Sequence, residues 1–491
     1  MIFSTSFSKF SEISTTTTAG LEDVENAAIR KWAAMWRSIT LSVLEHTYLP
    51  YYSYIHYLDL EGLWHLLCDL YTDNNKGAFF TPEIDDYLSP AYGMKGNRWL
   101  RSSAKSFDKD FVLLTIGSGY IITTHRTRRH LTGYQVQPSE LAEFLQQLPS
   151  LQTLSVSSGA SLTDHVRDTI RNHCPDLKQL TIHSWDGEQP ISSHSHLGPR
   201  MIRALGSHWN SLRELKLAYL GITAINELLS LTVPPALKVL VLENTINVRY
   251  IEACSQLTPR VAGWISSCKA LQQLELKQFM DNELILAQAL LEKSLRLSSL
   301  SLAGYSIRNA SLFHEALHHQ PSLQYLYLKG EGSDKPEHNK SLFQAISQLN
   351  NLRELELEGV SDGFTTDDVI ALTPLFPNLE RLSIGGKYFR DDIWNAFLCL
   401  PKLKSLLILG RSEFKAKGVL DFIGQLGPGN RGFSLSILKS TIDTNIHEFA
   451  EAYIRDALIS KLGGYFDFAL EDPEEEFETE SEIESEDDIS E

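Results

Sequence analysis

The residue pattern predicts an α/β solenoid, a stack of strand-turn-helix units, and three observations predict it. The first is a spacing: Leu323-Gln-Tyr-Leu326-Tyr-Leu328 returns 29 residues later as Leu352-Arg-Glu-Leu355-Glu-Leu357. Alternate side chains of a strand face opposite sides, so this spacing buries three apolar groups and turns the residues between them outward. The second is recurrence, with the triplet found again at Leu151/Leu154/Val156, Leu177/Leu180/Ile182, Leu212/Leu215/Leu217, Leu237/Leu240/Leu242 and Leu271/Leu274/Leu276. Leu297/Leu300/Leu302, Leu379/Leu382/Ile384 and Leu403/Leu406/Ile408 complete ten copies that start 24 to 35 residues apart. The third is a junction at which a helical pattern runs into Pro-x-Leu, as at Pro149-Ser-Leu151, Pro175-Asp-Leu177, Pro321-Ser-Leu323, Pro377-Asn-Leu379 and Pro401-Lys-Leu403. Proline lacks the amide hydrogen that a helix needs, so each helix stops there and its fixed φ feeds the next strand.

Most of these steps fall in the window of about 20–29 residues typical of leucine-rich repeats. Stacked in parallel, such units form a curved ladder, strands on the concave face and helices outside, in which each repeat is stable only with its neighbours. The usual turn asparagine, three residues after the third leucine, is replaced by Leu220, Thr245, Phe279, Tyr305 or Val360, so the turns are expected to close in another way.

Along the chain, residues 1–20 are half Ser and Thr and are expected to be disordered. Residues 21–49 form a helical segment, with Leu21, Val24, Ile29, Trp32, Met35, Trp36 and Ile39 at three- and four-residue steps. Residues 50–135 are taken as irregular early repeats with a long insertion over 72–109. Strands are expected at Ile55/Leu58/Leu60 and across Phe111–Ile116. Regular repeats and a closing cap span 136–465, with a last strand at Phe433–Ile437 and a closing helix at Ile446–Leu462, and an acidic tail follows over 466–491.

That tail explains the charge. Of the net −18, residues 471–491 account for 13 acidic side chains with no basic ones, which leaves −5 for the first 470 residues. Thr479, Ser481 and Ser485 each have an acid three residues on, a pattern that suits an acid-directed kinase. No apolar run approaches the roughly 18–20 residues that cross a bilayer, and the start lacks a signal-type apolar core. Five scattered cysteines argue against a disulfide framework, so cytosol or nucleus is expected.

Chemistry is sparse. Gly427-x-Gly429-x-x-Gly432 has the letters of a dinucleotide fingerprint but follows a helix and precedes a strand, the reverse of what phosphate binding needs, so it reads as a turn. His183, His194 and His196 share an insertion without a carboxylate or cysteine to complete a ligand set. The basic cluster His125–His130 reads as a solvated loop rather than a nucleic-acid site. No catalytic, metal or cofactor site is expected.

The expected site is a surface. Outward strand positions predicted to meet a protein partner on the concave face are His183, Lys216, Gln273, Glu275, Lys277, Tyr325, Tyr327, Lys329, Glu354, Glu356, Glu358 and Arg381. Tyr325 and Tyr327 sit side by side as interface anchors typically do. The column Glu354, Glu356, Glu358 should repel itself, which invites a basic partner.

The rhythm helix-Pro-x-Leu-x-x-Leu-x-Leu, with Trp36-Arg37-Ser38-Ile39 and Tyr54-Ile55-His-Tyr-Leu58-Asp-Leu60, resembles the fungal F-box and leucine-rich-repeat proteins. The Leu-Pro opening of an F-box is absent, so residues 21–49 read as a degenerate or truncated one. The resemblance implies a non-catalytic substrate-recognition subunit of a cullin-type ubiquitin ligase, with Trp32, Met35, Trp36 and Ile39 docking the adaptor. The tail also looks like that of the Ran GTPase-activating protein and of acidic histone-binding proteins. A scaffold for basic proteins and a GTPase regulator are the alternatives.

Overall fold

The computed structural model describes residues 18–49, 51, 57–72, 77–84, 100–101, 106–107, 112–113, 116, 130–133, 138–184, 208–244, 251–279, 281–291, 295–333, 335–410, 412–440 and 446–470. The expectations for residues 1–17, most of the 72–109 insertion, His125–Arg129, His194, His196 and the tail from 471 lie outside them. The fold is that of an α/β leucine-rich-repeat solenoid, and the chain divides into two units, Met1–Leu212 and Arg213–Glu491.

The first unit opens on helix Thr18–Val43. Its Ala33, Trp36 and Ile39 are buried. The hydroxyls of Ser38 and Thr40 bond back to the carbonyls of Ala34 and Trp36 at 2.8 and 2.9 Å, which satisfies them without partners outside the helix. Strand β1 is Tyr57–Asp59, and β2 (Leu100–Arg101) and β3 (Ser106–Phe107) form a separate antiparallel pair. Strands β4 (His130–Gly133), β5 (Thr153–Ser158) and β6 (Gln179–Ser184) run parallel to β1, with Leu58, Leu131, Leu154 and Leu180 aligned in register.

Two early expectations are corrected. Leu60 does not occupy a strand slot; it opens helix Leu60–Thr72, because Leu63, Leu66, Leu67 and Leu70 recur at helical spacing and are all buried. Of the strand expected across Phe111–Ile116, Val112, Leu113 and Ile116 are instead helical and buried, and the other three residues lie outside the described ones. The rung beside β1 is β4, whose single leucine, Leu131, left no triplet to find.

The second unit is a parallel run of ten strands: β7 (Glu214–Leu220), β8 (Val239–Asn244), β9 (Gln273–Lys277), β10 (Ser299–Ser306), β11 (Tyr325–Glu331), β12 (Glu354–Glu358), β13 (Arg381–Gly385), β14 (Ser405–Leu409), β15 (Ser434–Ser440) and β16 (Tyr465–Leu470). Equivalent leucines pair across neighbours, as in Leu300↔Leu326↔Leu355↔Leu382↔Leu406, and all are buried. At about 1.5–3 kcal/mol per fully buried Leu or Ile, this column offsets the ordering of each rung only when rungs lie on both sides. Helices return the chain between rungs. The one at Thr366–Leu372 starts from a capping box in which Thr365 and Asp368 exchange hydrogen bonds.

Four of the turns close on a buried side chain rather than on an asparagine amide, and the one at Thr245 lies outside the described residues. Leu220, Phe279, Tyr305 and Val360 are buried, and each follows a residue in the left-handed region: Tyr219, Gln278, Gly304 and Gly359. The reversal in backbone direction aims the next side chain into the core, where it fills the space at the strand end.

At the far end, helix Glu448–Leu462 ends on Gly463 at φ 63° and is followed by β16, which pairs with β15 and buries Phe466. The last strand among the described residues is therefore β16, not Phe433–Ile437, and residues 466–470 belong to the sheet rather than to the tail. The Gly427–Gly432 segment is a turn between helix Ala416–Gln425 and β15. Its buried Asn430 donates to the Leu403 carbonyl at 2.8 Å and accepts from the Gly427 amide at 3.2 Å.

Candidate partner-binding face

Register decides which outward side chains meet. Across β9 to β13 one row reads Gln273, Ser299, Tyr325, Glu354, Arg381, and the next reads Glu275, Ser301, Tyr327, Glu356, Ser383. A third reads Lys277, Ala303, Lys329, Glu358. Neighbouring strands lie about 4.8 Å apart, so residues in one row touch their neighbours. Ten of the predicted residues are brought together in this way. Lys216 lies on β7 of the same unit, paired with Glu214 at 2.7 Å. His183 belongs to the first unit, exposed and bonded to the Ser155 hydroxyl at 2.9 Å.

Much of the charge on this face is already matched. Lys329 Nζ lies 2.6 Å from Glu358, Lys277 Nζ 3.1 Å from Glu275, and Arg381 Nε 3.9 Å from Glu354. The Tyr327 hydroxyl donates to Glu358 Oε2 at 3.0 Å. Partial burial, reinforced by that bond and by the Glu358, Glu356 and Glu275 charges, pushes its phenol above the ordinary tyrosine value. Self-repulsion within the glutamate column is therefore corrected: Glu354 and Glu358 find cations on β13 and β11. Both cations lie on neighbouring strands, outside the spacing of β12 itself.

A hollow interrupts the face. Strand β10 contributes only Ser299, Ser301 and Ala303 outward, while longer side chains rise on both sides, and an open depression of about 320 Å³ results. Ser299 and Ser301 form its floor, Gln273 stands on one flank, and Tyr325, Tyr327, Glu354 and Glu356 on the other. Tyr325 is 37% exposed at its edge. Ser299 and Ser301 are not among the predicted site residues; the signal that could have found them is a run of small outward residues between two strands of long ones.

The expected adaptor-docking set divides. Met35 is 46% exposed and Trp32 half-buried, whereas Trp36 and Ile39 are packed into the interior of the first unit. Helix Thr18–Val43 packs against helix Leu60–Thr72, so Trp36 and Ile39 are core rather than a docking surface. Among the described residues no cluster of three or more His, Cys, Asp or Glu is placed to hold a metal ion, and no helix is long and apolar enough to cross a membrane.

No protein-family model and no curated protein matches the sequence. Solved structures with a similar backbone include one from the yeast complex of Rad7 and Elc1, at 15% identity and TM-score 0.42, covering 80% of this chain and 95% of that one. Another is an internalin from Listeria monocytogenes, at 13% identity and TM-score 0.35, covering 82% of this chain and 96% of that one. Likeness at this level bears on neither partner nor activity; the fold assignment rests on the strands, helices and register of this chain.

Proposed function

We propose that this chain is a protein-binding module whose outward strand face over β9 to β13 takes a protein partner. The observation that carries the reading is Tyr325, a large aromatic held 37% exposed at the edge of a hollow while its neighbours are tied to one another by ion pairs. An aromatic ring beside a concavity, rimmed by satisfied polar groups, is the arrangement in which interface energy concentrates. A photo-crosslinking residue at position 325 should capture a partner that the same residue at Leu312, exposed on helix Ser311–Leu317, does not. Tyr325→Ala should weaken binding of that partner by about tenfold or more. Equal capture from both positions sinks the assignment of the face.

A finer reading, that of a ubiquitin-ligase substrate receptor, rests on the resemblance at Trp36–Ile39. Exposed apolar side chains on the first helix and just after it favour it: Met35, Tyr48, Leu49 and Tyr51. Because Trp36 and Ile39 are core, deleting the helix would unfold the unit and test nothing. The pair Met35→Asp and Leu49→Asp is the proper test: binding to the adaptor subunit should be measurable for the parent chain and lost in the pair.

A further inference from the structure

We infer that the hollow over β10 is a receptor for one cationic side chain of the partner, an arginine guanidinium or a lysine ammonium. The inference rests on the reading of this face as protein-binding and adds the chemistry of what enters it.

Shape comes first. Strands β9 and β11 stand two strand spacings apart, roughly 9–10 Å, and β10 between them carries only hydroxyls and a methyl group outward. The opening suits a single planar or tetrahedral head group on a narrow stem. Next comes the wall: the side chains that line it include two tyrosines and two carboxylates, Glu354 and Glu356, and no basic group. A tyrosine ring presents a negative face that attracts a cation, and a nearby carboxylate adds a directed hydrogen bond to it.

The cations of the face stand outside the hollow. Lys329 turns to Glu358 at 2.6 Å, Lys277 to Glu275 at 3.1 Å, and Arg381 reaches Glu354 only at 3.9 Å, the long limit of an ion pair. Exposed pairs of that kind are weak and exchange readily, so an incoming guanidinium can share Glu354. The serine floor supplies hydroxyl acceptors, whereas an anionic side chain would meet Glu354 and Glu356 directly.

The test uses the full chain carrying 13C-labelled tyrosine, with the Tyr325 and Tyr327 resonances assigned from Tyr325→Phe and Tyr327→Phe. N-acetyl-arginine amide and N-acetyl-lysine amide are the probes, and N-acetyl-citrulline amide, nearly isosteric with arginine but neutral, is the control. The arginine probe should shift the Tyr325 signal at concentrations at least about fivefold below those the citrulline control requires. The preference should weaken with added salt and vanish in Glu354→Gln/Glu356→Gln, whose unchanged melting temperature confirms that it folds. Equal response to arginine and citrulline, no response to either, or full arginine response in the glutamine variant each overturns the cation assignment. Crosslinking from position 325 would then still stand, whereas failure of the crosslink alone removes the partner-binding reading itself.

Discussion

The Tyr305 hydroxyl lies 2.5 Å from Nε2 of His314, inside the core of the second unit, and the other ring nitrogen of His314 meets the Ser341 hydroxyl at 2.8 Å. Tyr305 plugs its turn, and His314 holds that plug from the next helix. Burial pulls the His314 pKa down to about 4, so the ring is neutral in the folded chain at ordinary pH.

Acid should therefore destabilise the fold through this residue. The unfolded chain takes up the His314 proton near pH 6.5 and the folded chain only near 4, so the unfolded state binds more protons between those values. The contribution is fully present above pH 6.5 and is lost as pH falls toward 4, up to about 3 kcal/mol. Urea midpoints measured from pH 7 to 4.5 should fall more steeply for the parent chain than for His314→Gln.

A methyl group at Gly330 has no room. Its Cβ would stand 1.8 Å from the Tyr305 carbonyl oxygen, so the backbone of two rungs must part. Gly330→Ala should cost about 2 kcal/mol or more. Gly424→Ala, in helix Ala416–Gln425 with nothing within 4 Å of the new carbon, should instead gain about 0.5–1 kcal/mol. Thermal melts of the two variants should move in opposite directions.

Leu328 and Tyr325 lie on one strand three residues apart and should answer differently. Leu328 is buried between Leu302 and Leu357, and its change to Ala should cost about 2–5 kcal/mol by denaturant unfolding. Tyr325→Ala should leave stability within about 0.5 kcal/mol, so any binding it abolishes belongs to the face and not to the fold.

The cysteines should alkylate in sequence. Burial pushes the Cys174 and Cys268 thiols up to about 12, while Cys399 is exposed. Iodoacetamide at pH 8 should modify Cys399 in the native chain and spare Cys174 and Cys268 until denaturant is added, read by peptide mass.

The repeats were legible because the buried leucines answer to a local rule: a strand alternates its faces, and three apolar groups at L-x-x-L-x-L need no knowledge of the neighbour to be recognised as core. The same rule failed where a rung carries one leucine, as at Leu131 in β4, and where helical spacing competed for the same residues, as at Leu60. It stopped before β16 because Tyr465–Leu470 has aromatic side chains, Phe466 and Phe468, in the slots leucine fills elsewhere. At the first helix it found the apolar stripe but not its partner: burial of Trp36 and Ile39 depends on the rest of the first unit, which no spacing within residues 21–49 records.

By itself the sequence determined the class of fold and, for the ten leucine triplets, which strand residues face inward and which outward, since each follows from alternation within one strand. Which outward residues meet was decided only by the tertiary structure. Parallel register set Lys329 against Glu358, Glu354 against Arg381 and the short side chains of β10 beside Tyr325, and side-chain pairing across strands depends on the lateral fit of separate segments that local spacing does not encode.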